Sequence, residues 1–195
     1  MRNFVFSGLI LAAALPAQAA TVVVQSQANS RGGSGTAFIF GPVVSGQSLT
    51  VSSSTDDLWA AGNPPRWSDA NGLTYNRFAT ATDDSGQPVG TLIGINFGTP
   101  TIDGFTAPFG SLVGRIGSTY QLLGANYNGT AWGTGALELY YWDTNSFDNF
   151  GEITFEINAG LVPEPSTWSL AILGFGVIGG ALRARRKQRT ALTFA

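Results

Sequence analysis

The stretch Gly135-Ala136-Leu137-Glu138-Leu139-Tyr140-Tyr141-Trp142, followed after a polar connection by Ile153-Thr154-Phe155-Glu156-Ile157, decides the fold class. In an extended chain Leu137, Leu139 and Tyr141 share one side and Glu138, Tyr140 and Trp142 the other. Ile153, Phe155 and Ile157 likewise oppose Thr154 and Glu156. A side-chain period of two marks β-strands, and this alternation predicts antiparallel pairing with one face on a core and one face wet. Working outward, further apolar runs at Thr21–Ser26, Thr36–Phe40, Ser48–Ser53, Gly90–Phe97, Ser111–Ile116 and Tyr120–Leu123 are bounded by Gly, Ser, Thr, Asn and Asp. None of them has a sustained period of 3.6, so these too are predicted strands. The set predicts an all-β protein, a jelly-roll-like β-sandwich. Asn128-Gly129-Thr130 reads as a turn.

The connection between the last two strands, Asp143-Thr144-Asn145-Ser146-Phe147-Asp148-Asn149-Phe150-Gly151, concentrates oxygen donors. Calcium takes about six to eight oxygens from carboxylates, amides and backbone carbonyls, and Asp143, Asn145, Asp148 and Asn149 offer four such side chains. The spacing is not that of an EF-hand. Asp, Asn, Ser and Gly also build turns, so a long hairpin is the equal alternative.

Charge and composition exclude whole classes of function. Between Thr21 and Val162 four arginines, Arg31, Arg66, Arg77 and Arg115, face eleven Asp and Glu, a net charge of −7. An acidic, lysine-free domain argues against nucleic-acid binding, which needs a basic face. Without cysteine there is no disulfide framework. Without histidine, Ser-His-Asp and Cys-His catalysis and histidine-ligated zinc and iron sites are impossible. Scattered carboxylates with no recognisable motif remain, and a non-enzymatic protein is expected.

Both ends carry addresses. Arg2, the apolar stretch Phe4 to Leu15 and then Ala17-Gln18-Ala19 predict a signal peptide over residues 1–19, cut by signal peptidase after Ala19. At the other end Pro163-Glu164-Pro165 holds an extended backbone, because neither proline can join a helix interior. An uncharged run over 167–182 follows, then the basic cluster Arg183, Arg185, Arg186, Lys187 and Arg189. At ~1.5 Å per residue the run falls slightly short of a ~30 Å hydrocarbon core and spans it with snorkelling arginines. Trp168 marks one interface and the cluster the other. The positive-inside rule puts 190–195 in the cytoplasm and the ectodomain, residues 20–160, outside it.

Residues 162–168, Val-Pro-Glu-Pro-Ser-Thr-Trp, with the helix and basic stop behind them, make 161–189 resemble the PEP-CTERM sorting signal of Gram-negative bacteria. That resemblance implies an exosortase-type processing enzyme as partner, a membrane-anchored intermediate, and a destination at the cell surface or in the extracellular matrix.

The ectodomain is similar to the calcium-dependent galactose-binding bacterial lectins of the PA-I type. The motifs are Gly110-Ser111-Leu112-Val113-Gly114-Arg115-Ile116-Gly117, Gly135-Ala136-Leu137-Glu138-Leu139 running on to Trp142-Asp143, and Asp148-Asn149-Phe150-Gly151 before the last strand. Gly46 to Val51 and Asp69-Ala70-Asn71-Gly72-Leu73 match more loosely. The resemblance implies calcium held by Asp143, Asp148 and Asn149, with an oxygen from Asn145 or Ser146 and a carbonyl from Trp59 to Gly62. Asp143 would also face the sugar, a galactose-like glycan or exopolysaccharide. Trp59, Trp67 and Trp132 are candidate sugar platforms. The metal loop is two residues shorter than the family's, Phe150 replaces a serine, and the family's sugar-binding histidine has no counterpart. An insertion of about 25 residues lies around Thr74 to Thr106. A structural or adhesive matrix protein and an ice-binding-type surface protein are the other readings.

Overall fold

The computed structural model describes residues 17–160, 172–179 and 183. The chain divides into two compact units; the larger is Pro16–Leu161, and the stretch 172–179 belongs to the other. That stretch is helical, inside the expected 167–182 span, and its apolar side chains Ile172, Leu173, Phe175, Val177 and Ile178 are exposed. Among the described residues no helix is long and apolar enough to cross a membrane. The body of the expected signal peptide lies outside the described residues, as do Pro163, Glu164, Pro165, Trp168, Arg185, Arg186 and Lys187.

In chain order the strands of the larger unit are β1 (Gln18–Gln25), β2 (Phe38–Val43), β3 (Ser48–Ser52), β4 (Trp59–Ala60), β5 (Trp67–Ser68), β6 (Arg77–Phe78), β7 (Leu92–Gly94), β8 (Thr101–Ile102), β9 (Phe105–Thr106), β10 (Leu112–Ile116), β11 (Thr119–Leu122), β12 (Asn126–Thr130), β13 (Gly135–Tyr141) and β14 (Phe150–Ala159). One sheet runs β12-β3-β14-β4-β5, with β1 paired along β14; the other runs β11-β10-β13-β2. β14 is long enough to take β1 along one edge and both β3 and β4 along the other. β1 starts at Gln18, so both Ala17 and Ala19 of the expected cleavage pattern lie beside or within the first strand.

The inward residues of both sheets merge into one core. Val22, Val24, Leu49, Val51, Ile153, Phe155 and Ile157 come from the first sheet; Val43, Leu112, Ile116, Leu137, Leu139 and Tyr141 come from the second. The alternation in β14 is clean, with Ile153, Phe155, Ile157 and Ala159 buried and their neighbours exposed. Burying each large apolar side chain contributes about 1.5–3 kcal/mol, enough in sum to stabilise the sandwich without disulfides.

Four expectations change. The second face of β13 is wet only at its start: Ala136 is exposed and Glu138 half-buried, but Tyr140 is 5% exposed and Trp142, just past the strand, is fully buried. The insertion explains the burial of Trp142, because the β8–β9 hairpin lays Ile102 and Phe105 over the outside of the second sheet against Trp142, Val113 and Tyr120, while Tyr140 is covered by Tyr120 and the guanidiniums of Arg31 and Arg115. β13 and β14 lie in different sheets, so the 143–149 connection crosses from one layer to the other and is not a hairpin. Asn128-Gly129-Thr130 is not a turn, since it pairs with Thr50, Leu49 and Ser48 in β12. The predicted strand Gly90–Phe97 contracts to β7, which pairs with β6 and carries Ile93 into a small separate cluster with Leu58 and Ala79.

Candidate functional site

The crossing loop is built on Asp143, which follows β13 by two residues and is 5% exposed. Its Oδ1 accepts the Asn145 N–H at 3.1 Å, a tight Asx turn that reverses the chain. Asn145 then organises the tip: its Oδ1 accepts the N–H groups of Ser146 (2.8 Å) and Phe147 (3.3 Å). Its carbonyl accepts from Ser30 Oγ at 3.2 Å and Asn149 Nδ2 at 3.0 Å. Of the expected ligands, Asn145 is therefore committed to the loop itself. Ser146, buried, accepts from the Ser34 N–H at 3.2 Å.

The segment after β1 closes the other side, which the sequence reading missed. Ser26, Ser30 and Ser34 hold the crossing loop through their side chains or backbone. A serine-rich segment reads as an ordinary linker, and only its burial reveals the role. Asn149 Nδ2 donates to both Asn145 O and Ser26 O (3.3 Å), which fixes the amide orientation. Its Oδ1 is left buried with no hydrogen-bond partner among the described residues. Burial pushes the Asp143 carboxyl above the usual carboxylate range, with nearby Asp148 adding repulsion; the Asn145 and Thr144 N–H groups and the Asn149 side chain oppose the rise.

Asp148 sits at the outer rim, half exposed, accepting Asn145 Nδ2 on Oδ1 (3.4 Å) and pairing with Arg66 Nη1 on Oδ2 (3.2 Å). The β4–β5 connection reaches this point through Arg66, whose Nη1 pairs with Asp148 Oδ2. A Cβ on Gly62 (φ +117°) would lie 2.7 Å from Asp148 Oδ2, so only glycine permits the approach. Two clefts flank Phe150. One, of about 350 Å³, is lined by Gln25, Gln27, Asn149 and Glu152 among others; the second, of about 620 Å³, by Asn63, Pro64, Pro65, Arg66 and Asp148.

The tryptophans divide. Trp59 is no sugar platform: it is fully buried, edge-on to Tyr141 at 4.8 Å, with its indole N–H on Gly110 O. A large ring beside β14 gains more from the core than from water. Trp67 is partly exposed and meets Phe150 edge-on at 5.0 Å, while Trp132 packs against Tyr127 with its N–H on Thr119 O. Among the described residues no three His, Cys, Asp or Glu side chains come together as a metal cluster. A cation here would have Asp143, Asp148 and the Asn149 amide, completed by carbonyls and water.

No curated protein matches the chain. Among solved structures it is similar to a chain described as "EclA N-terminal domain; PllA-like lectin", at 21% identity over 71% of this chain and 94% of that one, with a TM-score of 0.42. Residues 161–187 match the PEP-CTERM protein-sorting motif. The protein therefore carries, behind its β-sandwich, a PEP-CTERM sorting tail.

Proposed function

We propose that the sandwich binds a calcium ion through the 143–149 loop and contacts carbohydrate beside it, as a lectin-like, jelly-roll-type domain of an exported protein. The sorting tail supports export and exosortase processing, from a transient membrane-anchored intermediate to the cell surface or surrounding matrix. One observation carries the metal reading: Asn149, whose side chain hydrogen-bonds the buried Asp143 carboxyl, leaves its own Oδ1 buried and without a partner among the described residues. An orphaned acceptor next to a desolvated anion is a costly arrangement that a hard cation relieves. Asp148 supplies the second carboxylate.

Thermal melting with and without calcium tests this. An ion bound only by the folded state raises the melting temperature as its concentration grows. Asp143→Ala abolishes the shift if the reading is right; no shift in the native protein, or an equal shift in the variant, removes calcium from the loop. A glycan array then separates the functions. Calcium binding with a blank array favours an adhesive matrix scaffold, and shortening of a polysaccharide on incubation would make the protein an enzyme.

A further inference from the structure

Arg66 differs from the other arginines of the sandwich. Arg77 is 12% exposed and tied to Asp69, Asp56 and Thr55 O; Arg115 is bound to Glu138, and Arg31 to Asp103 and Tyr120. Arg66 is 39% exposed and makes both of its side-chain hydrogen bonds, to Asp148 Oδ2 and Ala61 O, through Nη1. Its guanidinium carbon lies 4.7 Å from the centre of the Phe97 ring, and among the described residues its Nε and Nη2 have no hydrogen-bond or ion-pair partner. The ring of Phe150, 39% exposed, lines the same cleft as Arg66, Asp148 and Asn63. Its volume of about 620 Å³ is in the range of small-ligand sites.

We propose that this cleft takes a carboxylated sugar, a uronic acid, whose carboxylate pairs with Arg66 while its ring lies on Phe150, and that Asp148 is the internal competitor for Arg66. An exposed ion pair such as Arg66–Asp148 is weak, whereas a ligand carboxylate can take the free guanidinium edge in a two-point pair. The net charge of −7 over Thr21 to Val162 repels polyanions at long range, so recognition is local to this one cation. The inference rests on the carbohydrate reading above and meets its metal part at one atom group: calcium on Asp148 releases Arg66, so metal and uronate bind cooperatively.

The test is calorimetric titration of the mature protein with methyl galacturonoside and with its methyl ester. Without calcium, Asp148→Asn binds the acid about fivefold tighter than the native protein, the effect of removing a competitor worth about 1 kcal/mol. Arg66→Gln loses binding of the acid while melting within about 2 °C of the native protein. The ester binds neither protein measurably. Equal binding of acid and ester, or undiminished binding by Arg66→Gln, overturns the proposal. Tight acid binding by Asp148→Asn with no calcium response in the native protein upholds the uronate site and sinks only the metal reading.

Discussion

The indole Nε1 of Trp59 donates to the carbonyl oxygen of Gly110 at 2.7 Å, tying the short strand β4 to the turn that enters β10 on the opposite sheet. Gly110 has φ +73°, and a Cβ there would lie 2.7 Å from Ser68 Oγ and 3.2 Å from Tyr141 Oη. Trp59→Ala therefore leaves a large cavity and strips the Gly110 carbonyl of its shorter hydrogen bond, with only the Ser68 Oγ donor at 3.4 Å remaining, and is expected to cost about 3–5 kcal/mol. Gly110→Ala, which adds one methyl group, costs more than about 1 kcal/mol through its backbone alone. Urea unfolding midpoints measure both, and a Gly110→Ala protein as stable as the native one would contradict the packing described.

Tyr141 offers the opposite case. Its hydroxyl is buried without a hydrogen-bond partner among the described residues, and burial pushes its pKa well up, helped by Asp143 and Asp148. Tyr141→Phe keeps the ring against Trp59 and removes the desolvated oxygen. Stability should hold or rise by up to about 1 kcal/mol in the same unfolding measurement, and a loss larger than that would mean the hydroxyl is satisfied.

The acidic edge gives a pH signature. Burial and the neighbouring Asp57 carboxylate push Asp84 up to about 6 from its ordinary 3.8. Because the folded state binds this proton more tightly than the unfolded chain, the group favours folding below about pH 4, and that contribution is lost as pH rises through about 6. Asp84→Asn keeps an acceptor for the Leu58 N–H, which the native carboxylate takes at 2.9 Å. The variant should melt higher than the native protein at pH 7 and nearly equal to it at pH 4; an unchanged difference across that range would rule the pair out as the source.

The outer layer should behave as a separate increment. Phe105 lies edge-on to Trp142 at 5.6 Å and stacked on Tyr120 at 5.8 Å, and Trp142 Nε1 donates to Pro100 O at 3.1 Å. Phe105 is only partly buried, so Phe105→Ala costs about 1–2 kcal/mol, less than a core truncation. Hydrogen exchange should rise in β8 and β9 while β14 stays protected.

For the sorting tail, mass spectrometry of the mature protein is expected to find a chain that lacks Arg183 to Ala195. Replacing Glu164 and its flanking prolines by alanine should leave the full tail attached, since these residues lie within the matched sorting motif. A full-length mature protein would contradict the processing.

Much of the sandwich is legible in the sequence. Ile153, Phe155 and Ile157 alternate with polar residues because one side of β14 meets the core and the other meets water, and that physics is local to the strand. β13 misled because Tyr140 is covered by Tyr120, Arg31 and Arg115 and Trp142 by Phe105 of the insertion, and no period within 135–141 records what lands there. The two-residue strands β4 and β5 carry no period at all. In the candidate site the oxygen-rich composition of 143–149 was visible, but Asn145 was read as a ligand where it serves the loop, and Trp59 as a platform where it fills the core.

The sequence by itself determined the all-β class, the acidic and histidine-free chemistry, and the sorting motif at residues 161–187, because these depend on residue type and short-range order. Only the tertiary structure decided that the acidic loop crosses between sheets, that Ser26 and Ser30 close it, and that Arg66 from the β4–β5 connection stands against Asp148. Those relations join residues 82 to 123 positions apart. They depend on how two layers pack around a shared core, and chain-local pattern carries no record of which distant side chain will be brought to a given oxygen.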